Sequence, residues 1–322
     1  MRILILGGTT LTGPYAVRRL HFLGHAVTVF HRGEHEAELP AGVRHIHGDF
    51  AHLPREAFDP TPDVVVHMWA MTEMDAESLV HTFRGVASRA VVVSSSDVYR
   101  AYGRLMGLES GSPDPIPLSE SAPLRESRYP YRKIAPTPDH WLTQYDKVLV
   151  ERVLVHQTDL PTCILRFPAV RGPKGYPKFQ RWLQAMLRGD RELRVQEGWA
   201  RWRWTHGFAE DVAEAVVSAV INPASTGRIY NVGEYHAPTM VDRLVEFASV
   251  AGWHGRIIEV PASELPETDR MLYDFSHHIV CDTTRIRTEL DYKEVIPHEL
   301  ALTRTLKYER ATDAGASAIN CW

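Results

Sequence analysis

Met1-Arg-Ile-Leu-Ile-Leu-Gly-Gly-Thr-Thr-Leu-Thr-Gly13 has the pattern of a short buried strand that runs into a glycine turn and then into a helix. Ile3 to Leu6 is an unbroken apolar run, as in a parallel strand covered on both faces. Gly7 and Gly8 let the chain turn sharply and let a ligand come close to the backbone. Thr12 is placed to cap the helix, and Pro14 suits a first turn, where a missing N–H costs nothing. Unpaired amides and the positive end of the helix dipole then favour an anion at the turn. Gly7, Thr9, Thr10, Leu11, Thr12 and Gly13 are accordingly candidate contacts for the pyrophosphate of a dinucleotide. An ordinary strand–helix turn has the same appearance. Thr10 also stands where the three-glycine fingerprint has its middle glycine, although its hydroxyl can donate to a phosphate.

Working outward, strand and helix signals alternate through the first half of the chain, which predicts an α/β fold with a doubly wound parallel sheet. A helix is expected from Gly13 to Leu23. Strands are expected at Ala26–Phe30, Val43–His47, Val64–Trp69, Ala90–Ser94, Thr162–Arg166 and Gly227–Gly233. Further helices are expected at about 138–157, at 209–221 and from Thr239 to Ala251. The stretch 101–140 is rich in Pro, Ser and Gly and reads as an irregular excursion. A smaller C-terminal substrate lobe follows from the looser pattern after Arg166. The expected division is 1–170 plus about 205–233 for dinucleotide binding, with about 171–204 plus 234–322 as the substrate lobe.

The chain has 322 residues, 44% of them hydrophobic and 24% charged, with a net charge of −4. That composition gives no global pull toward nucleic acid or anionic membrane. Cys163, Cys281 and Cys321 are few and odd in number, so no disulfide framework is indicated. No apolar run approaches membrane-spanning length, and the opening strand leaves no room for a signal peptide. The expectation is a reduced, cytoplasmic protein. Seventeen histidines invite a metal reading. His45 and His47 share one strand face and His277 and His278 are adjacent, but neither pair has a third ligand at useful spacing, so no metal site is expected.

Several landmarks occur in order: Gly7-Gly-Thr-Thr-Leu-Thr-Gly13, Gly48-Asp49, Ser94-Ser-Ser-Asp-Val-Tyr99, Lys147 with Glu151, Arg166 with Gly172-Pro173, Thr205-His-Gly-Phe-Ala-Glu-Asp-Val212 and Tyr230-Asn-Val-Gly233. With this ordered set the chain resembles the extended short-chain dehydrogenase/reductase family, the NAD(P)-dependent epimerases and dehydratases that act largely on nucleotide sugars. The resemblance covers about 1–235 and runs weakly to about 300. Phe30-His-Arg-Gly33 adds a similarity to the atypical branch, which includes chloroplast-type RNA-binding members. The resemblance implies a Rossmann-type fold, hydride transfer on a hydroxyl or carbonyl substrate, and a homodimer formed through two helices of the sheet domain.

Charge argues the cofactor. NAD sites usually place a carboxylate at the end of the second strand to hold the ribose hydroxyls. Here His31 takes that place and Arg32 follows, and a guanidinium can pair with a 2′-phosphate and stack on adenine. NADP is therefore expected, with NAD the alternative and a solvated Arg32 the bland reading. Asp49 resembles the family aspartate that reads the adenine amino group, with Phe50 beside it. Met68, Trp69 and Ala70 fall where family members pass under the cofactor, although Trp69 also suits plain core.

The resemblance implies a catalytic tyrosine four residues before a lysine on one helix face, where the ammonium lowers the phenol pKa and grips the nicotinamide ribose. Aligning on Lys147 and Glu151 puts Thr143 at the tyrosine position, whereas aligning on Tyr145 puts Leu149 at the lysine position. On a regular helix Tyr145 is about 200° from Lys147 at roughly 100° per residue, so the two do not share a face. Tyr145 also fits an apolar stripe with Leu142, Leu149 and Val153. An unwound helix start, or Tyr129 or Tyr131 from the preceding loop, would restore a proton donor. Ser95 resembles the family residue that hydrogen-bonds the substrate oxygen. Ser94 and Ser96 substitute if the register slips, and strand-end capping is the structural alternative. Ala169 replaces an asparagine that many relatives carry near the sugar.

Residues 174–204 hold eight Lys and Arg (Lys174, Lys178, Arg181, Arg188, Arg191, Arg194, Arg201, Arg203) and four tryptophans (Trp182, Trp199, Trp202, Trp204). Guanidiniums with stacking surfaces suit a nucleotide diphosphate or single-stranded RNA, whereas tryptophans filling a lobe core are the structural alternative. The function expected is an NAD(P)-dependent epimerase, dehydratase or reductase, with Ser95, Tyr145 and Lys147 as the catalytic set. The competing reading is a catalytically impaired NADP-sensing or RNA-binding member of the same fold.

Overall fold

Ile3 and Ile5 of the first strand, β1 (Arg2–Leu6), enter one core, while Leu4 and Leu6 enter another on the opposite face. The alternation follows from the two-residue period of a strand, and it requires layers on both sides of the sheet. A computed structural model describes residues 1–50, 52–173 and 179–313. Its elements in order are β1, α1 (Gly13–Phe22), β2 (Ala26–His31), β3 (Arg44–His47), β4 (Val64–His67), α2 (Glu73–Phe83), β5 (Arg89–Ser95) and α3 (Arg100–Leu105). There follow α4 (Lys147–Val155), β6 (Thr162–Phe167), β7 (Ala169–Arg171), α5 (Gln180–Arg188), β8 (Glu192–Gln196), α6 (Glu197–Arg201), β9 (His206–Phe208) and α7 (Ala209–Ile221). The last elements are β10 (Ile229–Asn231), α8 (Met240–Ala251), β11 (Arg256–Val260), α9 (Thr284–Leu290) and α10 (His298–Asp313).

Seven strands form one sheet in the order β10-β6-β5-β4-β1-β2-β3, every pair parallel. The order reverses between β1 and β4, which opens a crevice at their carboxyl ends, the place where such sheets bind ligands. On one face α1 and α7 contribute Ala16, Val17, Leu20, Val212 and Val216; on the other, α2 and α4 contribute Ala76, Leu79, Phe83, Val150 and Leu154. The doubly wound sheet expected from the alternation of elements is what the chain forms. A third core joins Trp182, Trp199, Trp202, Leu244 and Leu306 with Val98, Leu105 and Leu118. The irregular excursion after β5 therefore packs into the same body as the C-terminal elements.

Three expected elements shift. The fourth strand ends at His67, so Met68, Trp69 and Ala70 belong to the turn that follows it. The strand expected at Gly227–Gly233 is confined to Ile229–Asn231. The helix expected at about 138–157 begins only at Lys147, because the Asp146 carboxylate caps it by accepting from the Val148 amide at 3.0 Å.

Candidate active site

The opening turn has the shape a diphosphate needs. Gly7 and Gly8 both hold φ of 88°, where a β-carbon is strained. A Cβ on Gly13 would stand 2.4 Å from the Cα of Gly8, so only glycine lets the start of α1 lie against the turn. Thr9 and Leu11 are half-buried, Thr10 is exposed and Thr12 is buried. Thr12 occupies the cap position, but its side chain makes no capping hydrogen bond, which corrects the expected role. Its carbonyl instead accepts from Ala16 at 3.2 Å. The Gly13 amide donates to the Thr10 carbonyl at 2.9 Å and Pro14 has no N–H, so the start of α1 offers an anion mainly the positive end of its dipole rather than a row of free amides. These residues fit the pyrophosphate of a dinucleotide.

At the end of β2, Arg32 is exposed and pairs with Glu34 at 3.3 Å. His31 is buried and turns toward His45 and His47 on the neighbouring strand. Asp49 is exposed after β3, and Phe50 packs between Phe30 and His67 with ring centroids 5.5 and 5.8 Å away. Met68 and Trp69 abut the turn: their Cβ atoms lie 3.6 Å from the point where a side chain on Gly7 would begin. Trp69 meets Trp141 edge-on at 5.3 Å. Ala70 is buried, and its carbonyl accepts from Lys147.

Lys147 Nζ donates to the carbonyls of Ala70 at 2.6 Å and Val93 at 3.0 Å, which anchors it where β4 and β5 end. Burial pulls its pKa down to about 8, against the opposing pull of Asp97, Asp75 and Glu151. Tyr145 lies two residues before α4 begins, so the helical-face argument that separated it from Lys147 does not hold. Its ring centroid is 5.9 Å from Nζ. Nor is Tyr145 only a core aromatic, since its hydroxyl donates to Asp97 Oδ2 at 2.7 Å. Tyr131 donates to the same oxygen at 3.0 Å, and Tyr102 and Tyr131 share a hydrogen bond of 2.8 Å. Tyr129 is elsewhere, under the Arg132 guanidinium at 3.8 Å. Thr143 at the family tyrosine position points its hydroxyl at the Thr137 carbonyl, 3.3 Å away.

Asp97 ties the cluster together, and its role was not anticipated, although it stands two residues beyond Ser95 in a recognised landmark. Burial raises its pKa, opposed by Arg125, Tyr145, Tyr131 and Lys147. Oδ1 is buried without a hydrogen-bond partner among the described residues. An unpaired buried acceptor costs about 1–3 kcal/mol, so a ligand hydroxyl there would relieve a standing penalty. Burial, and then the Asp97 carboxylate, push the Tyr145 phenol well above its usual range. Arg125 supports the arrangement by donating to the Asp97 carbonyl at 2.6 Å and to Asp146 Oδ1 at 3.2 Å. Ser95 accepts from the Asp97 amide at 3.2 Å, so it does cap the strand end while standing beside the cluster.

Ser94 is committed to structure, which removes it as a substitute for Ser95. It donates to Glu151 at 2.6 Å, and Glu151 also accepts from Arg166 Nη2 at 2.7 Å, with both charged groups almost wholly enclosed. Arg166 continues to Tyr99, and Tyr99 to Asn231. Removing one partner of a buried pair strands the other. Glu151→Ala is expected to lower unfolding stability by about 3–5 kcal/mol, read by urea denaturation; a loss below about 1 kcal/mol, the scale of an exposed pair, would contradict it.

The tryptophan-rich stretch forms a core rather than a stacking surface. Trp182 stacks on Trp199 at 4.2 Å, and these two and Trp202 are buried. Arg181, Arg188, Arg194 and Arg201 pair with Asp269, Asp190, Glu264 and Glu259 respectively. Lys174 and Lys178 lie outside the described residues. Ala169 is buried in β7 opposite His206.

A parallel doubly wound sheet with a glycine turn at its switch point, and a lysine and tyrosines beside it, defines an α/β protein of the Rossmann type. The model of the NAD dependent epimerase/dehydratase family matches residues 3–233, and the chain belongs to that family. No curated protein matches it. Among solved structures it is similar to an epimerase from Methanothermobacter thermautotrophicus, with 18% identity, 97% of this chain and 93% of that one covered, and a TM-score of 0.71. UDP-glucuronic acid 4-epimerase from Bacillus cereus, in complex with UDP-glucuronic acid and NAD, gives 18% identity, 97% and 99% coverage and a TM-score of 0.70. A dTDP-glucose 4,6-dehydratase from Bacillus anthracis, in complex with NAD, gives 16% identity, 98% coverage of both chains and a TM-score of 0.69. Among the described residues no helix is long and apolar enough to cross a membrane.

Proposed function

We propose that this protein is an epimerase or dehydratase that oxidises a secondary hydroxyl of a nucleotide sugar with a bound nicotinamide dinucleotide. The observation that carries the reading is the Tyr145–Asp97 hydrogen bond beside Lys147 and Ser95, at the open end of β4 and β5. Gly7, Thr9, Thr10, Leu11, Thr12 and Gly13 hold the pyrophosphate, Asp49 and Phe50 border the adenine, and Met68, Trp69 and Ala70 line the path toward the nicotinamide. The nicotinamide supplies reversible hydride acceptance. Ser95 orients the substrate oxygen, and Lys147 holds the nicotinamide ribose with an ammonium already fixed by two carbonyls. A phenol held above its usual pKa is a poor base alone. Tyr145 therefore acts as a relay, taking the substrate hydroxyl proton at Oη while passing its own to Asp97 Oδ2. The reverse transfer returns the proton when hydride comes back to the sugar.

The test is a panel of UDP- and dTDP-sugars followed by NMR, with absorbance at the reduced-nicotinamide band recorded in parallel. A new sugar epimer or a dehydrated keto sugar is expected. Nucleotide-loaded protein that changes none of the panel would contradict the reading.

We further propose that the cofactor carries a 2′-phosphate held by Arg32, with NAD as the alternative. Arg32→Glu is expected to lower the ratio of NADPH to NADH affinity by about tenfold or more, the value of a charge-assisted hydrogen bond. An unaltered ratio in fluorescence titrations would assign Arg32 to solvent.

A further inference from the structure

The sheet register brings together four metal-ligating side chains that are scattered in the sequence. In the β2–β3 pairing His31 lies opposite His47 and Val29 opposite His45, so the three histidines share one face at the sheet edge. Glu36, in the connection between the two strands, closes over them. We propose that His31, Glu36, His45 and His47 form a binding site for a divalent transition-metal ion of the zinc class.

The geometry is that of a nearly assembled four-coordinate site. One ligand atom from each residue lies within 4.8 Å of all the others. His47 Nε2 is 2.9 Å from Glu36 Oε1, and His31 Nε2 is 3.3 Å from His45 Nδ1. His31 Nε2 and His45 Nδ1 stand 3.9 and 4.0 Å from Glu36 Oε2. Bonds of about 2.0–2.1 Å to a tetrahedral ion put neighbouring ligand atoms about 3.3 Å apart, so small side-chain movements complete the shell. Three imidazoles and one carboxylate suit zinc, cobalt or nickel, whereas magnesium and calcium prefer oxygen donors.

The Gly33 amide now donates to His31 Nδ1 at 3.2 Å, which leaves the ring proton on Nε2, directed at His45. Binding moves that proton to Nδ1, and the Gly33 amide turns out to solvent. Gly33 is exposed and at φ 80°, where glycine yields easily. The bound ion would clamp the connection carrying Glu36 to the edge strand β3. It would also share His31 with the end of β2 that faces the nucleotide.

The test uses metal alone, so its outcome is separate from that of the proposed activity. Tag-free protein stripped with a chelator is titrated with Co²⁺. A single equivalent is expected to give the intense visible absorption of a four-coordinate ion, to raise the unfolding temperature and to shift the Gly33 amide resonance. His47→Ala and Glu36→Gln replace residues whose side chains are 57% and 58% exposed, so neither endangers folding. Each is expected to weaken binding by about tenfold or more, while His254→Ala, at an exposed site outside the cluster, leaves it unchanged. A faint six-coordinate spectrum, or binding indifferent to the His47 and Glu36 variants, would overturn the proposal.

Discussion

Tyr145→Phe is expected to give a folded protein that still holds its nucleotide but turns over its sugar substrate about a hundredfold to ten-thousandfold more slowly. The substitution deletes one oxygen and keeps the ring packed against Tyr131 and Trp141 at 5.0 and 5.8 Å. It breaks the relay because no other described hydroxyl joins Asp97 Oδ2 with the same proximity to Lys147. Tyr131→Phe is the informative partner: it removes the second donor to that oxygen and should slow the reaction far less. The measurement is single-turnover reduction of bound nicotinamide by the sugar that the panel identifies. Equal losses in the two variants would mean that the tyrosines act as a structural cluster. An unimpaired Tyr145→Phe would remove the relay altogether.

Gly13→Ala has the next largest expected effect, and it acts on binding. The added Cβ meets backbone at 2.4 Å rather than a movable side chain, so the turn itself must open. A cost of about 1–3 kcal/mol in stability follows from overpacking of this kind. Displacing the turn from the pyrophosphate should weaken nucleotide binding by more than about tenfold, or about 1.4 kcal/mol. Gly24→Ala provides the control. Gly24 sits at φ 81° with nothing within 4 Å of the added carbon, so alanine there strains the backbone well away from the cradle. Isothermal titration of both variants should show a binding defect in Gly13→Ala alone. A shared defect would trace the loss to general destabilisation.

Much of the frame was legible because it depends on local pattern. The apolar run Ile3–Leu6, the glycines after it and the alternating elements together imply a doubly wound sheet, and the ordered landmarks carry the family. What escaped depends on contacts between segments distant in the sequence. Apolar periodicity runs back through Leu142 and lengthens the expected α4, whereas Asp146 is held by the buried Arg125 and the Tyr129 amide and caps the helix there. Tyr145 therefore lies outside the helix, where the regular-helix angle to Lys147 does not apply. In the sequence Asp97 is a carboxylate beside a strand end, as in a surface turn, and only the excursion carrying Tyr131 buries it. Linear spacing alone gives His45 and His47 no third ligand. Parallel pairing of β2 with β3 supplies His31 and, through the connecting loop, Glu36.

The direct test of the central assignment is equilibrium dialysis of the purified protein against NAD(H) and NADP(H), repeated with Gly13→Ala. The wild type is expected to retain one dinucleotide per chain at micromolar concentration, and the variant to release it. A wild type that retains neither dinucleotide at millimolar concentration would contradict the account at its root.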